Sequence, residues 1–134
     1  MIKLSLIAML LISNLALAKN IEIHFAFIGQ KNDAALLGIQ QGLREANLQG
    51  QFLNQKYELE LINVKNVHTH DFSKYIAILT VVDIDTFKKL TDILPNIAIF
   101  NLSIKNDLLR TACIKNALHI IPSNMMQLDA TNQW

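Results

Sequence analysis

The stretch that decides the fold is YIAILTVV, Tyr75–Val82, a near-continuous apolar run. A strand that lacks polar alternation is the mark of burial on both faces, which parallel sheets impose. Directly after it, Asp83-Ile84-Asp85 caps a predicted helix whose apolar face is Phe87, Leu90, Ile93 and Leu94, and Pro95 stops it. Ile97-Ala98-Ile99-Phe100 reads as a second buried strand. Asn106 to Cys113 reads as a short helix or turn, and Ala117 to Ile121 as a last strand ending at Pro122. Ser123 then caps a terminal helix carrying Met125, Met126, Leu128 and Ala130.

On the N-terminal side, Lys65 to Lys74 is polar and has no clear period. Before it, Tyr57 to Val64 alternates, with Glu58 and Glu60 on one face, which suits an edge strand. Asp33 to Asn47 places Ala35, Leu36, Ile39, Leu43 and Ala46 at helical spacing, with Asn32 or Asp33 as cap and Gly50 past its end. Ile21 to Ile28 opens this series as a strand that turns wholly apolar before Gly29.

Strands alternating with helices imply right-handed crossovers onto a parallel sheet. The expected fold class is therefore α/β, a doubly wound parallel sheet of about five strands in the order 2-1-3-4-5, with the polar second strand at an edge. In that order the switch point lies between strands one and three, and ligands bind beyond the carboxyl ends of the strands there. The groups placed at that rim are Gly29-Gln30, Asp83-Ile84-Asp85 and, adjacent, Asn101-Leu102-Ser103.

Composition bounds the function. A chain of 134 residues, 51% hydrophobic and 17% charged, is one domain's worth of globular protein rather than a disordered one. With 12 Lys+Arg against 11 Asp+Glu and no basic cluster, nothing neutralises a phosphate backbone, so nucleic acid is not an expected partner. Residues 1–18 read as a signal peptide: Lys3 is the charged start, Leu4 to Ile12 the apolar run, and Ala16-Leu17-Ala18 the cleavage pattern. The run is shorter than the ~20 residues of a membrane span, and no cysteine follows the cleavage point for a lipid anchor. Cleavage removes Lys3 and no acid, so residues 19–134 hold 11 basic against 11 acidic residues. The expected location is the periplasm, with no membrane-spanning segment after signal removal. There the lone Cys113 is either buried or an unpaired thiol.

Catalytic patterns are missing from the sequence. It has no G-x-G-x-x-G, no G-x-x-x-x-G-K-[ST] and no G-x-S-x-G. His68-Thr69-His70-Asp71 offers two imidazoles and a carboxylate, but no further ligand follows nearby, so a metal-assisted hydrolase ranks last and a polar loop is the better reading. His24 and His119 fall in strands and read as sheet residues, and the Met125-Met126 pair as core. Capping explains at least one of Asp83 and Asp85 and leaves a ligand role open for the other, whereas Asn101 and Ser103 end a buried strand and can hydrogen-bond inward. No enzyme activity, cofactor or metal is expected.

Residues 96–134, NIAIFNLSIKNDLLRTACIKNALHIIPSNMMQLDATNQW, carry a resemblance. The matching pieces are Phe100-Asn101-Leu102-Ser103, Asp107-Leu108-Leu109-Arg110 with Cys113, Leu118-His119, Ile121-Pro122-Ser123, Met126, and Asp129-Ala130 before Gln133. The segment resembles the first lobe of type I periplasmic substrate-binding proteins of ABC transporters. It is most similar to the branched-chain-amino-acid type, in the branch associated with pyrroloquinoline-quinone-linked alcohol catabolism. The resemblance implies a two-lobed receptor that closes on a small polar solute and delivers it to an inner-membrane ABC permease. It places first-lobe ligand contacts at Gln30, Asp83, Asn101 and Ser103.

Two departures shape the expectation. The chain ends at Trp134, within the helix that precedes the family's hinge, so the expected product is a truncated first lobe with impaired ligand capture. Only about ten residues join Val64 to Tyr75, where the family has a crossover helix, so that face of the sheet is expected to be uncovered. The competing reading is a small exported interaction module that packs this uncovered face on a partner.

Overall fold

The computed structural model describes residues 20–133; the predicted signal peptide, residues 1–18, lies outside them. Five strands form one sheet: β1 (Ile21–Ile28), β2 (Gln55–Ile62), β3 (Tyr75–Thr80), β4 (Ala98–Asn101) and β5 (Ala117–His119). All neighbours are parallel, in the order β2-β1-β3-β4-β5. Four helices flank it: α1 (Ala34–Gly50), α2 (Ile84–Ile93), α3 (Asp107–Thr111) and α4 (Asn124–Asn132). Fold class and strand order are those expected, and Glu58 and Glu60 do lie on an edge strand. Among the described residues, no helix is long and apolar enough to cross a membrane.

Period-two alternation divides the sheet into two faces. Ala26, Ile28, Ile62, Ile78 and Ile99 form one face and pack with Phe87 and Leu90 of α2 and Leu109 of α3. The β2–β3 connection, expected to leave this face bare, covers it. After a 3-10 turn at Val64–Asn66, Val67 and Phe72 are buried and join the same cluster. Two large apolar side chains set in a polar stretch do the work of the crossover helix, and no helical period was needed to place them.

The run that decides the fold carries one irregularity. Along β1, His24 pairs with Tyr75 and Phe25 with Ala77, so Ile76 has no partner. This bulge turns the Tyr75 side chain into the core, where it is buried, and leaves Ile76 59% exposed. Burial on both faces, expected along the whole run, therefore starts only at Ala77.

On the opposite face, Ile39, Leu43 and Ala46 of α1 lie over Phe25, Tyr57, Leu59 and Leu79. The fit is incomplete. These residues and Gly42 line an apolar hollow of about 350 Å³. Nothing lies within 4 Å of where a Cβ would stand at Gly38 or Gly42. The far end of α1 is tied to the sheet edge by Asn47, whose amide accepts from Tyr57 N at 2.8 Å and donates to Tyr57 O at 2.9 Å. Gly50 is the last residue of α1 rather than a position past its end. A Cβ there would stand 2.5 Å from the Gln55 carbonyl oxygen, so the chain's return to β2 requires glycine. The reversal is completed by a 3-10 turn, Gln51–Leu53, and by Asn54 in the left-handed region at φ 52°.

Caps account for the other helix starts. Asp83, Asn106 and Ser123 each accept a first-turn amide of α2, α3 and α4 respectively. α4 is anchored at its start by Asn124 N to Lys105 O at 3.0 Å and Met125 N to Asp107 Oδ1 at 3.1 Å. The rest of it buries nothing. Met125, Met126 and Leu128 are exposed, against the expectation that the methionine pair is core, because among the described residues no face of α4 packs on the sheet or another helix. Cys113 is an exposed free thiol.

Candidate functional site

The carboxyl ends of β1 and β3 stay paired, with Val81 N donating to Ile28 O at 2.9 Å, and beyond them, where the chain leaves toward opposite faces, a cleft of about 530 Å³ opens. Gly29, Gln30, Asn32 and Asp33 line it from the β1 side, Val64 from the end of β2, Val81, Val82 and Asp83 from β3, and Ser103 from β4. The three valines are its apolar lining, and Gln30, Asn32, Asp33, Asp83 and Ser103 its polar lining. Glycine is required at position 29. A Cβ would come within 2.7 Å of the buried Phe27 ring and 3.3 Å of Val81, which closes the gap between strand ends. A neighbouring cleft of about 570 Å³ shares Gly29, Gln30 and Val64 and adds Lys31 and Lys65.

Three of the four sequence-derived residues, Gln30, Asp83 and Ser103, line the cleft together. Gln30 is exposed there and anchors the turn into α1 through its carbonyl, which accepts from Asp33 N at 3.2 Å. Ser103 is half-buried, and its hydroxyl donates to Val82 O at 3.3 Å, a long contact that leaves its lone pairs open to a solute. Asp83 is heavily engaged. Its Oδ1 accepts from Asp85 N at 3.0 Å and Thr86 N at 2.9 Å, and its Oδ2 from Thr86 Oγ1 at 2.6 Å. The Thr86 hydroxyl, with the first-turn amides, holds the Asp83 carboxyl below its ordinary value. It is a cap first and a source of negative potential second.

Asn101 does not reach the cleft lining. It is fully buried beneath the rim, where Oδ1 accepts from Ser103 N at 3.1 Å and Ile104 N at 2.8 Å. Nδ2 lies 2.7 Å from Ile104 O and 3.0 Å from His119 Nδ1. Because Oδ1 already accepts two amides, Nδ2 is the donor and His119 Nδ1 must accept. Asn101 therefore sets the loop that presents Ser103 and is spent on that task.

Asn32 and Asp33 were read from the sequence only as alternative caps. Asp33 stands at the cap position of α1, yet its side chain makes no capping hydrogen bond, so its carboxylate faces the cleft unspent. Nothing in the sequence separates an idle cap from a working one. With Asp83 it makes the wall anionic, and neither lysine nor arginine lines this cleft. Such a wall suits a solute that offers hydroxyl or amine donors. The His68–His70 pair does not form a site. His70 Nε2 lies 2.9 Å from the Tyr75 hydroxyl and 3.9 Å from Glu60, while His68 is exposed.

Burial, and then the Arg110 charge, push the His119 imidazole below its ordinary value. Between that lowered value and about 6.5, the unfolded chain binds a proton that the fold does not, so stability falls as pH falls through this window. Thermal melts between pH 7.5 and 5.5 are expected to show a declining Tm, with a shallower decline for His119→Gln. A wild-type Tm that is flat across this range contradicts this.

No protein-family model, curated protein or solved structure matches the chain. The described residues form one Rossmann-like α/β lobe whose cleft sits at the topological switch point.

Proposed function

We propose that this chain is the solute-binding component of a periplasmic ABC import system, in the form of one receptor lobe that holds a small polar solute for an inner-membrane permease and performs no catalysis. The observation that carries this reading is the cleft beyond the ends of β1 and β3, lined by Gln30, Asn32, Asp33 and Ser103 together with Val64, Val81 and Val82. The secretory pattern of residues 1–18 and the resemblance of residues 96–134 to type I substrate-binding proteins support it.

Binding on this wall divides the work by chemistry. The Asp33 carboxylate accepts a hydroxyl or ammonium proton from the solute, the Ser103 hydroxyl and the Gln30 amide set its orientation, and the valines take its carbon skeleton. Isothermal titration of the full chain with short alcohols, aldehydes and branched-chain amino acids tests it. One class is expected to give saturable heat, and Asp33→Asn or Ser103→Ala to weaken its binding about tenfold, the worth of one good hydrogen bond. No heat from any class, with the protein folded, overturns the proposal.

A further inference from the structure

The alternation that turns Ala26 and Ile28 into the core places Glu22 and His24 on the same face of β1, nearer the strand's start. The parallel register then sets His24 directly beside Glu58 of β2. His24 Nδ1 lies 3.3 Å from Glu58 Oε2, and His24 Nε2 lies 3.8 Å from Glu22 Oε2. One ligand atom from each of the three residues lies within 4.8 Å of the other two. Among the described residues, this is the one group of three or more His, Cys, Asp or Glu side chains so gathered. His24 lies four residues before the end of β1, about 13 Å from the solute cleft at 3.3 Å per residue.

We propose that Glu22, His24 and Glu58 form a binding site for a divalent transition-metal ion of the Zn²⁺ class, with solvent completing the coordination. Metal–ligand bonds of about 2.0–2.2 Å put tetrahedral ligands roughly 3.3–3.5 Å apart. With Nδ1 as the ligand atom of His24 the His24–Glu58 spacing already meets this, and Glu22, whose 3.8 Å contact is to the other ring nitrogen, must turn its exposed side chain in from within 4.8 Å. One imidazole and two carboxylates, with no sulfur, favour Zn²⁺ and its first-row neighbours over Mg²⁺. The present arrangement also leaves something for a cation to relieve, because two carboxylates stand on either side of one imidazole and a divalent ion offsets their mutual repulsion. The ligands sit on two hydrogen-bonded strands, so little backbone ordering is left to be done on binding. Lys56 is the competitor: its Nζ holds Glu58 Oε1 at 2.6 Å, leaving Oε2 turned to His24.

The test is titration of Zn²⁺ into the metal-stripped full chain, read as calorimetric heat and as a rise in Tm. One saturable site is expected, with Mg²⁺ giving neither signal at the same concentration. His24→Gln and Glu58→Gln, each checked for folding by circular dichroism, are expected to weaken Zn²⁺ at least tenfold. Lys56→Gln is expected to tighten it severalfold, because it removes a positive charge and frees the second oxygen of Glu58. His68→Gln and Cys113→Ser are expected to leave it unchanged. The proposal is overturned if the wild type shows no Zn²⁺ binding, or if Glu58→Gln and His24→Gln both retain it. Loss of binding in Cys113→Ser or His68→Gln, or no response to Lys56→Gln, places the ion elsewhere and overturns it equally.

Discussion

Asn101→Leu is expected to lower the Tm by on the order of 10–20 °C, a loss of roughly 3 kcal/mol in a domain of this size. The side chain fits the volume, so the effect comes from polar groups left behind. Asn101 is fully buried and serves the amides of Ser103 and Ile104, the Ile104 carbonyl and His119 Nδ1. Leucine orphans all four, and a buried donor or acceptor without a partner costs about 1–3 kcal/mol. Two backbone bonds, Leu102 N to Thr80 O at 3.0 Å and Ile120 N to Asn101 O at 3.2 Å, still hold the strand ends. They do not hold residues 103 and 104. On the proposed reading of the cleft, solute titration of the folded fraction is expected to show weaker binding, since Ser103 is presented by this loop. A thermal melt within about 1 kcal/mol of wild type would mean that the loop keeps its shape without the amide.

Phe87→Ala is expected to cost about 3–5 kcal/mol, measured by urea unfolding at pH 7. Phe87 is fully buried and is the first buried side chain of α2, one turn after the Asp83 cap. It packs in the cluster of Ile78, Leu90, Ile99 and Leu109 that fastens α2 and α3 to the sheet. Small domains have about 5–15 kcal/mol in total, so this single truncation removes a large share of it. A loss below about 2 kcal/mol would show that α2 settles into the void. The Phe87 ring also lies 6.1 Å from the His119 ring, centroid to centroid. Phe87 and Asn101 therefore share a neighbour, and the double variant should fall short of the sum of the two losses.

The sheet order was legible because burial leaves a mark on composition: the edge strand β2 shows Glu58 and Glu60, whereas β3 and β4 carry no charged residue. The bulge at Ile76 left no such mark, because an apolar residue in an apolar run reads the same whether it is paired or looped out. The connection of residues 65–74 was opaque for a different reason. Val67 and Phe72 act singly, and periodicity detects faces rather than single plugs. At the rim, Asn101 was correctly placed at the end of a buried strand as an inward hydrogen-bonder, yet its partners are its own loop, and residue type cannot say which. The Glu22, His24 and Glu58 grouping joins residues more than thirty positions apart and needs the β1–β2 register to appear. Met125 and Met126 misled because a helix's apolar side chains imply a surface to cover without showing where the helix runs.

The apolar hollow lined by α1 bears on how firmly that helix is held to the sheet. A helix that rests on the sheet across an unfilled space of about 350 Å³ forgoes dispersion contacts along that seam, whereas α2 sits on a filled core. Local opening follows the shallowest contact, so of the two long helices packed on the sheet α1 is expected to expose its amides to solvent before α2, while α4, which buries nothing, is held least of all. Gln30, Asn32 and Asp33 lie on the hinge into that helix. On the proposed reading, a solute held at the cleft is expected to take its entropic toll on α1 by slowing this lifting.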